Sequence, residues 1–151
     1  MKNKIFLILL IICCYACPNN PNNLQKTESL NTLNGTWNLS SIKTEKKIEK
    51  NPYKNERTVS LTFENNETEG KITGNDICGN RVFGDYKLMS DHKMEVLRFG
   101  GTKKGCDGWA SNFWGLIRRS ESYEINANSL KIYFDKKSNY LEFEKGEKKE
   151  N

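Results

Sequence analysis

Thr58-Val59-Ser60-Leu61-Thr62-Phe63-Glu64 alternates apolar and polar side chains without a fault. A period of two puts Val59, Leu61 and Phe63 on one face and Ser60, Thr62 and Glu64 on the other, which is a strand with one buried and one wet side. The same signature recurs in both directions along the chain. Gly35-Thr36-Trp37-Asn38-Leu39 turns Trp37 and Leu39 one way, and Leu130, Ile132 and Phe134 alternate strictly. Weaker strand patterns occur around Lys71-Ile72-Thr73, from Val82 to Met89, Met94 to Phe99, Ser122 to Asn126 and Tyr140 to Glu144. Gly100-Gly101 is expected to close the pair before it, and Asp135 to Asn139 to form a hairpin connection. About eight short strands punctuated by turns predict a mainly β fold, an antiparallel, partly open barrel-like sheet.

One stretch breaks the alternation. Trp109, Phe113, Leu116 and Ile117 recur at helical spacing, with Asp107 placed to cap the start and Arg118 and Arg119 at the end. This predicts the single α-helix. Trp114 falls at the edge of its buried stripe, where it either widens the core contact or rims a ligand opening. The charged segment from Lys43 to Arg57 carries Pro52 and reads as a loop.

The amino end has a different origin. Lys2 and Lys4 precede an apolar run from Ile5 to Ile12, followed by Cys13-Cys14-Tyr15-Ala16-Cys17. A run of about eight apolar residues is too short to span a bilayer, which takes about 20. It reads as a bacterial lipoprotein signal over residues 1–16, with Cys17 the lipidated first residue of the mature protein. An ordinary secretory signal and a single membrane anchor are the alternatives. Residues 17–32 are rich in Asn and Pro and form a flexible tether, the domain occupies 33–145, and a charged tail fills 146–151. Removing 16 of the 151 residues leaves 135, and losing Lys2 and Lys4 lowers the formal charge from +5 to +3. That size supports one independently folding domain. Lysines interleave with glutamates rather than clustering with stacking aromatics, so nucleic acid is not expected as a partner.

Of five cysteines, Cys13 and Cys14 leave with the signal and Cys17 takes lipid, so Cys78 and Cys106 remain. In an oxidising envelope such a pair suggests a disulfide; two buried thiols are the alternative. His92 is the single histidine, too few ligands for zinc, and no Cys-x-x-Cys marks a redox centre. Gly100 to Gly105 departs from phosphate-loop spacing. Asp85, Asp91 and Glu95 form no recognisable acid pair. No cofactor, metal or catalytic residue is expected.

Gly35-x-Trp37, then Gly74-Asn75-Asp76-Ile77-Cys78-Gly79-Asn80 with Gly84-x-Tyr86, then Thr102-x-x-x-Cys106 and a closing Leu141-x-Phe143 occur in that order. This resembles the META domain family, which includes the heat-shock protein HslJ. Members usually place Asn directly after the Cys, whereas here Gly79 intervenes. The resemblance implies a small antiparallel barrel-like fold, often carried by envelope lipoproteins, with Gly35, Trp37, Gly74, Asn80, Gly84, Tyr86 and Thr102 as structural motif residues. Gly74, Gly79 and Gly84 suit positive φ or close strand approach, Asn80 can satisfy turn amides, and Tyr86 can bury its ring.

Three functions fit. The first is a lipid-anchored, non-enzymatic protein of the bacterial cell envelope, outer membrane before inner, in stress tolerance or envelope assembly with an envelope protein partner. The second is a lipocalin-like carrier of a small apolar ligand, since an eight-strand barrel can hold one. The third is an enzyme using Cys78 and Cys106. A central apolar cavity would favour the second, and an exposed cysteine beside a positive charge in a cleft the third.

Overall fold

Antiparallel strands joined by short connections must reverse end at each step, and this chain does so with one exception, the second and third strands, which both oppose the first. The computed structural model describes residues 32–53, 57–102, 105 and 108–146. In chain order the elements are β1 (Gly35–Lys43), β2 (Ile48–Lys50), β3 (Ser60–Asn65), β4 (Glu69–Asn75), β5 (Arg81–Leu88), β6 (Met94–Gly101), α1 (Phe113–Ile117), β7 (Ser120–Asn126), β8 (Ser129–Phe134) and β9 (Lys136–Lys145). The sheet runs β6-β5-β4-β3-β1-β9-β8-β7, with β2 paired only to β1. All pairs are antiparallel.

The two edges of that sheet meet. Lys93, just before β6, bridges Ser122 on β7, and Tyr123 N donates to His92 O at 2.9 Å. Eight strands therefore curl into a nearly closed barrel. The closing turn has Asp91 and His92 at φ 59° and 55°, both left-handed, the pairing that a tight hairpin needs to match strand twist. The His92 ring meets Tyr123 edge-on at 5.4 Å. The exposed His92 thus holds the seam as well as turning the chain.

The alternation read from sequence is realised inside the barrel. Val59, Leu61, Phe63, Ile72, Leu130, Ile132, Phe134, Leu141 and Phe143 are all buried. The largest fully buried side chains include Trp37, Tyr86, Phe63, Phe113, Phe134 and Phe143, which fill the interior that a carrier would keep open.

Several boundaries differ from expectation. The segment from Lys43 to Arg57 contains β2, because the Ile42↔Glu49 and Lys43↔Ile48 pairs extend β1 into a hairpin. Gly100 and Gly101 do not close the β5–β6 pair; they lie within β6, opposite Phe83 and Val82. The β8–β9 connection is Asp135 alone, at φ 57°, and β9 starts at Lys136. The helix is shorter than its apolar spacing suggested. Ala110 sits at φ 62° and breaks the helical path, so Trp109 precedes the helix and Asn112, not Asp107, is its N-cap. Asp107 lies outside the described residues, as do Cys17, the signal and Cys106. Among the described residues no helix is long and apolar enough to cross a membrane.

The alternation of direction gives the barrel two distinct poles. The chain enters at Gly35 and leaves at Lys145, side by side through the Trp37↔Lys145 pair, and the β3–β4, β5–β6 and β7–β8 turns share this near pole. The β1–β2 hairpin, the β4–β5 connection, α1 and Asp135 gather at the far pole.

Candidate functional site

The motif residues concentrate where β4 passes into β5 at the far pole. Asp76 N donates to Asn80 O at 2.8 Å and Gly79 N to Asp76 O at 3.0 Å, which closes the connection as a tight loop. Gly79 takes φ +74° with open space around its missing side chain. Gly79 lies within the loop, and the β4–β5 register on either side of it runs unbroken from Glu69↔Lys87 to Asn75↔Arg81.

Asp76 organises this loop. Its side chain is only 5% exposed, and its oxygens can only accept. Oδ1 accepts from Cys78 N and Asn80 N, each at 2.9 Å. Oδ2 accepts from Asn80 Nδ2 at 2.9 Å and from Trp114 Nε1 at 3.2 Å. The Asp76 carboxylate thus satisfies two turn amides, and the Asn80 side chain donates to it.

Trp114 carries this clasp to the helix. Its ring meets Phe99 edge-on at 5.5 Å, and a Cβ on Gly101 would stand 2.8 Å from it. It belongs to the packing of α1 on β6 and does not rim an opening. Arg118, at the helix end, turns back so that Nε and Nη2 donate to Phe99 O at 3.1 and 2.7 Å. Thr102 completes the attachment: Arg81 N donates to its Oγ1 and its own N to Arg81 O, both at 3.0 Å.

The remaining motif residues are distributed along the barrel. Trp37 Nε1 donates to Leu33 O at 2.8 Å, and Lys145 Nζ lies 4.2 Å from its ring centroid, where burial lowers the lysine pKa. Gly84 admits the Arg98 carbonyl, which a Cβ would meet at 2.5 Å. The Tyr86 ring packs edge-on to Phe63 at 5.5 Å. Its hydroxyl is buried close to the Asn65 side chain without a well-formed hydrogen bond to it, and burial raises its pKa, Asn65 acting in the opposite sense. Since an unmet buried hydroxyl is itself a cost, Tyr86→Phe should leave stability equal or raise it by up to about 1 kcal/mol. Thermal melting checks this; a loss above that size would show the hydroxyl to be bonded.

Two open grooves flank the barrel. One of about 520 Å³ lies beside the β3–β4 turn among Glu64, Asn65, Glu69, Lys71 and Asp85. Another, of about 920 Å³, follows the seam past His92, Tyr123, Glu124 and Tyr133. There the Tyr133 hydroxyl donates to Glu124 Oε2 at 2.7 Å, and burial, then that carboxylate, push its pKa to about 12. Cys78 is exposed on the far-pole loop and lines neither groove. Among the described residues no group of three His, Cys, Asp or Glu converges as for a metal ion.

Asp76 was missed by sequence reading, which included it in the motif without giving it a role. Only the carboxylate's position two residues before Cys78 and four before Asn80, the spacing of an Asx-type loop, signalled it.

A family model described as META domain matches residues 28–147. No curated protein matches the chain. Among solved structures, a DUF4847 family protein from Bacteroides vulgatus ATCC 8482 is similar at a TM-score of 0.54 and 16% identity, covering 76% of this chain and 94% of that one. At that identity the likeness concerns the fold alone.

Proposed function

The chain belongs to the META domain family, and from that we propose that it is a lipid-anchored protein of the bacterial envelope that acts by binding rather than catalysis. The observation that carries this reading is the use made of the motif's polar groups. The Asp76 carboxylate, the Asn80 amide, the Trp114 indole and the Thr102 hydroxyl all bond within the fold, leaving none of them poised toward a substrate. The filled barrel interior speaks against the small-ligand carrier. Cys78 paired with Cys106 would tie the far-pole loop to the segment before α1, reinforcing the Asp76–Trp114 contact. The bonded state of Cys78 supports that pairing. A role in stress tolerance or envelope assembly is what the family resemblance adds.

Mass spectrometry of membrane-extracted protein tests both modifications. Expected are a diacyl- or triacyl-modified Cys17 with nothing before it and, without reduction, a Cys78–Cys106 linked peptide. Soluble protein beginning elsewhere would overturn the anchor, and full thiol labelling of both cysteines the pairing. Loss of the cellular phenotype on His92→Ala or Asp91→Asn, in protein that stays folded and abundant, would overturn the non-catalytic reading.

A further inference from the structure

The two poles differ in charge. At the far pole the β1–β2 hairpin carries Lys43, Lys46, Lys47 and Lys50, and Arg57 follows. Arg81, Arg118 and Arg119, with Lys136 and Lys137 after β8, add to them. Among the described residues, Glu45, Glu49 and Asp135 stand against these, already ion-paired to Lys136, Lys47 and Arg119 respectively, with Asp76, whose carboxylate is buried, and Glu142, level with Lys50 across β1 and accepting from Ser41 Oγ. Among the described residues no ion pair takes up Lys46, Lys50, Arg57, Arg81 or Lys137. The near pole is the reverse. Glu64, Glu67, Glu69, Asp91 and Glu144 outnumber Lys87, Lys93 and Lys145 around its turns.

Large apolar side chains are exposed within the basic surface. Ile48, on the β1–β2 hairpin, is 57% exposed, and Tyr53, just after it, is 44% exposed, while Phe83, Met89 and Leu97 are exposed along β5 and β6 and at the turn between them. A soluble polyanion offers nothing to an isolated isoleucine. A lipid surface does: cations sit among headgroup phosphates, tyrosine settles at the interface, and an aliphatic side chain reaches the acyl boundary.

We infer that the far pole docks on an anionic lipid surface, with the lysines of the β1–β2 hairpin and Ile48 and Tyr53 as its contacts. This surface does not depend on the proposed anchor. The two are geometrically compatible, because a tether from Cys17 to Thr32 extends to roughly 50 Å, whereas a nine-residue strand such as β1 spans roughly 30 Å. An anchored domain can then lay its basic pole on the same membrane, and a lipid chain joined to a basic patch holds more firmly than either alone.

The test uses the mature chain with Cys17→Ser, so that no acyl group contributes. Sedimentation with vesicles of phosphatidylcholine containing about one-third phosphatidylglycerol should show binding that weakens steeply with added salt, and pure phosphatidylcholine should bind little. Each neutralised lysine should weaken binding about fivefold, so Lys46→Gln with Lys50→Gln should cost roughly 25-fold. Ile48→Ser should weaken it severalfold, while the near-pole pair Lys87→Gln with Lys93→Gln should change it less than about twofold. Melting curves of each variant confirm that the barrel is intact. Equal binding to neutral vesicles, or equal loss from the near-pole pair, would overturn the proposal. So would full binding by Ile48→Ser together with displacement from vesicles by dextran sulfate, since that pattern marks a soluble polyanion as the partner.

Discussion

Asp76→Ala should lower the unfolding free energy by about 3–5 kcal/mol, a drop in melting temperature of roughly 10–20 °C for a domain of this size. The carboxylate is nearly fully buried and accepts from two main-chain N–H groups, the Asn80 amide and the Trp114 indole. Removing it leaves those donors without an acceptor where water enters poorly, and each unmet buried group costs about 1–3 kcal/mol. Asp76→Asn separates the two halves of the effect. Its remaining oxygen can keep the Cys78 and Asn80 main-chain bonds, but its NH2 would face two donors. About half the loss is expected, together with a change in Trp114 fluorescence as the indole leaves its partner. A melting temperature within a few degrees of the parent for Asp76→Ala would refute this account.

The strands were legible because burial on one side of a sheet writes itself into every second residue. Val59, Leu61 and Phe63 in β3 and Leu130, Ile132 and Phe134 in β8 needed no tertiary information. What escaped depended on partners far along the chain. Trp114 meets Asp76 across 38 positions, and beyond its spacing to Cys78 and Asn80 nothing local marks Asp76 as buried. The same distance hid Gly100 and Gly101. A glycine pair reads as a turn, yet Gly101 belongs to β6 because a side chain there would collide with the Arg81 carbonyl, at 1.9 Å, and the Trp114 ring. β2 was masked by its charges, since lysines on an exposed edge strand carry no alternation. The helix was overextended because spacing alone could not reveal the left-handed backbone at Ala110. The motif glycines, by contrast, marked real backbone constraints, although their spacing did not rank them.

That ranking leads to the second large effect. Gly74→Ala should cost at least about 3 kcal/mol, while Gly79→Ala, five positions on in the same motif, should cost about 1 kcal/mol. Both glycines have positive φ, +153° at Gly74 and +74° at Gly79, and only the second lies near the left-handed well that an alanine can enter at modest cost. Space separates them further. A Cβ at Gly74 would stand 1.9 Å from the Ser60 carbonyl oxygen and 3.0 Å from Leu61 Cα, both main-chain atoms of β3, whereas nothing lies within 4 Å of one at Gly79. Main-chain atoms cannot rotate aside, so the alanine must spread β3 from β4 where Leu61 pairs with Gly74 and Ser60 with Asn75. Asn75 leads directly into Asp76, and the strain therefore reaches the carboxylate clasp. Gly74→Ala and Asp76→Ala combined should consequently lose less than the sum of their separate costs, because the first already loosens the loop whose bonds the second removes. Denaturant unfolding of the two single variants and the double measures this coupling. Strict additivity would mean that the β3–β4 contact and the Asp76 loop are independent, and equal costs for the two glycines would mean that close approach of β3 is not what Gly74 provides.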